Sequence, residues 1–387
     1  MIKNVFLLIQ IFLLISLFSC ENFNIDQNIE SSKILYNFNQ ENIYKPFFEN
    51  SFYEKIKIYN TSKKMIEINL HYRIWKNFDN FQVFKKGKIK KLFLIHGFAG
   101  STYSWENFSN SLIEYFNNIE ENIFIVAVDI PNFGFSQRIR EKLTDEDFSI
   151  LFFKLLLLLD QEFKIDNFEW ITFGHSMGGR IVFIFNTIYY IFNKNKFENE
   201  KTFDKLKDLL TKNDLLDYLR NKKIFLSNKI FLVAPALFSN NSLNLFIHNY
   251  TLNKILINLV KANINFNNIK RILKEVYKKE PSLKDIYGYL NPLLINDTVE
   301  NVIFMLERKN LIDIEYFLNK IDLELIFIWG EKDSLVPLNQ YNNDLINKIK
   351  NKKLYIIKDS GHCPMETDIN DFLKIIINEL IFSTSNN

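Results

Sequence analysis

Apolar residues along the chain follow two alternating rhythms. Short, wholly apolar runs read as strands buried on both faces, and longer stretches with a helical period lie between them. The pattern predicts two strands, Lys57–Tyr59 and Met65–Trp75, joined by the polar turn Asn60–Lys64. A strand Lys91–Ile95, a helix Trp105–Asn117 and a strand Asn122–Asp129 follow. Next come a helix Glu146–Phe163, a strand Phe168–Phe173 and a helix from about Met177 to Ile191. Strands at Ile230–Val233 and Glu324–Trp329, a helix near Leu338–Lys350, a strand Lys353–Ile357 and a helix Ile369–Phe382 complete the series. This alternation implies an α/β fold with a mostly parallel central sheet and helices on both faces.

Two stretches break the rhythm. Residues 194–228 are highly charged and read as a surface excursion without an assignable role. Residues 238–323 show only helical periods, with Ile255, Leu256, Leu259 and Val260 on one face, and read as a helical cap between two sheet strands. The sheet-bearing core is then 51–237 together with 324–387.

The first residues carry a different signal. Lys3 precedes an apolar run from Val5 to Phe18, too short for a bilayer-spanning helix of roughly 20 residues but suited to a secretory signal. Residues 1–19 are therefore expected to be a signal peptide. The run ends in Leu17-Phe18-Ser19-Cys20, which resembles the lipobox of bacterial lipoproteins and implies lipidation of Cys20. Residues 20–50 would then be a polar, lipidated tether, with the protein held at the membrane of a bacterial cell envelope. Without lipidation the same leader would give a secreted protein.

Composition excludes several classes. The 48 basic and 45 acidic residues give a net charge of +3, too even to suggest a nucleic-acid partner. Cys20 and Cys363 are the only cysteines, too few for a disulfide framework or a cysteine-based zinc site.

Glycine is the informative residue. Eight of the ten glycines fall in five short clusters, and three of the five histidines lie in the same clusters. Gly174-His175-Ser176-Met177-Gly178-Gly179 follows a predicted strand and opens a predicted helix. That is G-x-S-x-G in a strand-to-helix turn, which exposes a serine hydroxyl and leaves no room for side chains two residues either side. His96-Gly97-Phe98-Ala99-Gly100 follows another strand, where a glycine pair can aim a backbone N–H inward. The amides of Phe98 and Met177 are the candidate oxyanion hole. His96 and His175 read as structural.

Near the C-terminal end, Gly330-Glu331-Lys332-Asp333 follows a strand, and Asp359-Ser360-Gly361-His362 follows the last one. His362 suits a general base for Ser176, and Asp333 is the preferred acid to orient it, with Glu331 and Asp359 as competitors. Cys363 reads as a packing residue.

Together these residues resemble the α/β-hydrolase family, of the serine lipase and esterase kind, over roughly Ile56–Phe382. Asp129-Ile130-Pro131-Asn132-Phe133-Gly134-Phe135-Ser136 also resembles that family's loop after its fourth strand. The resemblance implies an α/β-hydrolase fold, a Ser-His-Asp triad, an acyl-enzyme, and neither metal nor cofactor. The cap and the lipid anchor suggest a lipid-like carboxylic ester as substrate. The alternatives are thioesterase, peptidase or carbon–carbon bond hydrolysis on the same fold, or a non-catalytic lipoprotein binding a partner at the cell surface.

Overall fold

A computed structural model describes residues 48, 50–78, 89–194, 197, 201–221, 223–237, 250–305, 309–338 and 340–381. The expected signal peptide, Cys20, nearly all of the expected tether and residues 238–249 of the expected cap lie outside the described residues.

Eight strands form one sheet: β1 Ser51–Tyr59, β2 Met65–Lys76, β3 Ile89–Ile95, β4 Asn122–Val128, β5 Trp170–His175, β6 Leu226–Val233, β7 Glu324–Gly330 and β8 Lys352–Ile357. Their order is β1-β2-β4-β3-β5-β6-β7-β8. β2 runs antiparallel to both β1 and β4, and every other pairing is parallel. The parallel centre explains the unbroken apolar runs, since all seven residues of β4 and all six of β5 are buried.

Helices α1 Glu106–Asn118, α2 Asp145–Phe163, α3 Met177–Asn193, α4 Lys201–Lys212 and α5 Leu216–Arg220 connect the strands up to β6. α6 Tyr250–Asn263, α7 Phe266–Tyr277, α8 Leu283–Leu293, α9 Thr298–Met305 and α10 Ile314–Leu318 separate β6 from β7. α11 Gln340–Lys348, α12 Pro364–Thr367 and α13 Ile369–Ile381 complete the chain. α2 opens with a reciprocal cap, Thr144 accepting the Asp147 amide while Asp147 accepts that of Thr144.

Each sheet face carries its own apolar core. On one face Phe93 meets Trp170 of β5, Phe152 of α2 and Phe185 of α3. On the other, Phe173 meets Phe108 of α1, which packs edge-on against Phe372 of α13. The helices between β6 and β7 join both cores. Ile269, Leu273, Tyr277, Ile286 and Leu290 of α7 and α8 enter the α1–α13 side, whereas Val302, Met305, Ile314 and Phe317 of α9 and α10 enter the α2–α3 side.

The charged stretch 194–228 differs from the expected surface excursion. Its α4 turns Phe203, Leu206, Leu209 and Leu210 inward, and Phe192 stacks on Phe203 at 4.9 Å. Asn213 then closes on β1, accepting the Tyr59 amide and donating to the Tyr59 carbonyl, both at 2.9 Å. β6 begins at Leu226, four residues before the predicted strand, because Leu226 pairs with Trp170 ahead of an irregularity in the ladder.

Candidate active site

The parallel strands end together at one sheet edge, and the residues singled out from the sequence lie on the turns that leave it. Ser176 follows β5 and is the N-cap of α3, with φ 52° and ψ −115°. That backbone is unfavourable for a residue bearing a side chain and must be held by its surroundings. Four backbone bonds hold it: the Ser176 amide to the Val233 carbonyl at 2.9 Å, and the Ser176 carbonyl accepting from Ala236 at 2.9 Å, Gly179 at 3.0 Å and Arg180 at 3.4 Å. A Cβ on Gly174 would lie 2.3 Å from the Gly178 carbonyl oxygen, and one on Gly178 would lie 2.4 Å from those of Ile95 and His96. The turn therefore requires bare backbone on both sides of the serine.

The same crowding brings the turn after β3 to the serine. A Cβ on Gly97 would sit 3.0 Å from Ser176 Cβ and 2.8 Å from His175 Nδ1. Phe98 and Met177 are the residues that follow these two neighbours. The Phe98 ring is fixed edge-on to Phe133, with centroids 5.4 Å apart.

Asp333 and His362 meet at 2.7 Å, Oδ2 to Nδ1, and each is only 5% exposed. Asp333 Oδ1 accepts the amides of Leu335 and Val336, both at 2.9 Å. The competing acids are occupied elsewhere: Glu331 accepts the Asp359 amide at 3.0 Å, and Asp359 pairs with Lys332. The His362 amide donates to the Val276 carbonyl at 2.8 Å, and its carbonyl meets His175 Nε2 at 2.9 Å. His175 thus braces the His362 loop. Burial, and then the neighbouring His362, hold its imidazole well below the usual range, so it is neutral.

His96 is fully buried, with Nδ1 2.7 Å from the Gly97 carbonyl and Nε2 accepting the Ile130 amide at 3.0 Å. Burial lowers its pKa, and both nitrogens are committed to joining two loops. Asp129, inside the resembling loop, is a positioning residue whose role the sequence did not reveal. Its carboxylate accepts the Thr102 amide at 2.6 Å and the Phe135 amide at 2.7 Å, and meets His71 Nδ1 at 2.6 Å. Burial opposes its charge, but His71, His96 and the Phe135 amide together more than offset this and the carboxyl stays below its usual range. Gly134, at φ 52°, is forced by this acid, since a Cβ would lie 2.1 Å from the Asp129 carboxyl carbon.

Comparisons with known proteins agree with this architecture. The family model for the alpha/beta hydrolase fold matches residues 90–189. A bromoperoxidase from Bacillus anthracis is similar at TM-score 0.53 and 16% identity, over 84% of this chain and 99% of the other. An esterase from Exiguobacterium antarcticum gives 0.54 and 15%, over 84% and 99%. A membrane phospholipase A, described as a bacterial virulence factor, gives 0.52 and 16%, over 85% and 86%. No curated protein matches the sequence. The chain has the α/β-hydrolase fold.

Proposed function

We propose that the protein is a serine hydrolase that cleaves carboxylic esters through Ser176, His362 and Asp333. The observation that carries this reading is the buried 2.7 Å contact of Asp333 with His362, on the sheet edge where Ser176 occupies its strained turn. With Nδ1 held by Asp333, His362 keeps Nε2 free to take the hydroxyl proton of Ser176 as its oxygen attacks the ester carbonyl. The amides of Phe98 and Met177 then stabilise the oxyanion, and the first turn of α3 adds its dipole. Collapse expels the alcohol, which takes the proton from His362. Water, deprotonated by His362, then attacks the acyl carbon, and His362 returns that proton to Ser176 Oγ as the acid leaves.

A lipid-like ester fits best. The chain carries a lipobox-like Leu17-Phe18-Ser19-Cys20, which would place the enzyme against a membrane, and one similar structure is a membrane phospholipase A. The test uses protein lacking residues 1–20 on p-nitrophenyl esters of increasing acyl length. Turnover is expected, falling on the order of 10³-fold or more in Ser176→Ala. A folded protein that cleaves none of these esters would turn the search to peptide, thioester or carbon–carbon substrates.

A further inference from the structure

The helices between β6 and β7 reach the His362 loop through a cluster of side chains that the proposed chemistry does not use. Glu366, four residues after His362, accepts the hydroxyl of Tyr277 on Oε2 and that of Tyr289 on Oε1, each at 2.6 Å. Tyr277 is the last residue of α7 and Tyr289 lies within α8. The Tyr289 hydroxyl also meets Ser104 Oγ at 3.1 Å, in the turn that follows the Gly97–Gly100 loop. Around it, the Tyr103 hydroxyl donates to Asp285 at 2.7 Å, and α8 lies flat on the Tyr103 ring, where a Cβ on Gly288 would come within 2.6 Å. One residue before Tyr277, the carbonyl of Val276 takes the His362 amide. The geometry runs from Glu366 through both tyrosines to the two loops that flank Ser176.

We propose that Glu366 is a positioning residue for the active site: by gathering the hydroxyls of Tyr277 and Tyr289 it locks α7 and α8 against the His362 loop and so fixes where the imidazole stands. The proposal rests on the hydrolase reading above. Three features agree with it. Each carboxyl oxygen takes one tyrosine hydroxyl at 2.6 Å, so a single side chain ties two helices at once. The cluster is enclosed enough for burial to push Glu366 up to about 7, although the two tyrosines pull the other way. A cavity of about 300 Å³ borders the cluster, lined by Tyr103, Asn107 and Lys284, so on this side α8 is held by polar contacts, while Ile286 and Leu290 anchor it in the core.

Glu366→Ala removes both acceptors and is expected to lower kcat roughly tenfold or more with KM within about twofold, because a base displaced by a fraction of an ångström loses rate rather than affinity. Glu366→Gln, which keeps a polar group of the same shape, should recover most of that loss. Tyr277→Phe combined with Tyr289→Phe should reproduce the alanine effect and add little to it, since all three residues act as one unit. The phenylalanine pair also serves should Glu366→Ala not fold. Hydrogen exchange of the full chain should quicken together in residues 270–293 and 358–367 in these variants. A folded Glu366→Ala with wild-type kcat, or with its whole loss in KM, overturns the positioning role. A wild type no faster than Ser176→Ala overturns the hydrolase reading instead.

Discussion

Asp333 gives its two carboxylate oxygens separate tasks, and the difference dictates what a mutation there would do. Oδ1 closes its own loop through the amides of Leu335 and Val336, while Oδ2 faces His362 Nδ1. Asparagine would keep its carbonyl on the two amides and present its NH₂ group to His362, which favours the wrong imidazole tautomer. Asp333→Asn is therefore expected to fold normally and to lose on the order of 10⁴-fold in kcat, as kinetics alongside a thermal melt would show. Residues of this kind stood out in the sequence because crowded backbone at Gly97, Gly174 and Gly178 demands glycine, and the chain has only ten to place. Glu366 left no such mark. It meets Tyr289 across 77 residues and Tyr277 across 89, and a tyrosine on a helix reads as ordinary packing until the fold brings its hydroxyl to an acid.

At the scale of elements, the buried strands were legible because short apolar runs alternate with longer stretches of helical period, as a parallel sheet requires. β1 was read six residues short, since Phe52 is exposed and charged positions interrupt its first half. α4 was hidden by its lysines and aspartates, which occupy one face and mask the inward Phe203 and Leu206. The start of α2 carries a further element-level consequence. Glu146 accepts the amides of Leu311 and Ile312 on Oε1, both at 2.8 Å, tying α2 to the segment that leads into α10, while its Oε2 is buried without a partner. Burial pushes Glu146 up to about 7. The folded state thus holds a proton that the unfolded chain releases near 4.5, so this group's stabilisation is full below about 4.5 and fades as pH rises through about 7. Glu146→Gln should remove that fade. Its melting temperature relative to wild type should climb between pH 4.5 and 8, by the equivalent of about 3 kcal/mol at most, in paired thermal scans.

Across the whole molecule, four of the five described helices between β6 and β7 stand with one pair in each apolar core, α7 and α8 on one face and α9 and α10 on the other. Beyond that body, the proposed leader would set where the protein works. If Cys20 is lipidated, full-length protein expressed in a bacterium should incorporate labelled fatty acid and partition into detergent, and Cys20→Ala should do neither. Label retained in that variant would remove the anchor from the proposal. The bond between the His362 amide and the Val276 carbonyl carries a different lesson, about descent. A segment inserted between strands usually drifts freely under selection, because nothing in the chemistry depends on its backbone. Here the segment between β6 and β7 supplies the acceptor for the His362 amide, so, on the proposed hydrolase reading, a change that reshapes it for a new substrate would also move the base. If that reading holds, a chimera that exchanges residues 250–318 with those of a distant relative is expected to change rate together with substrate range.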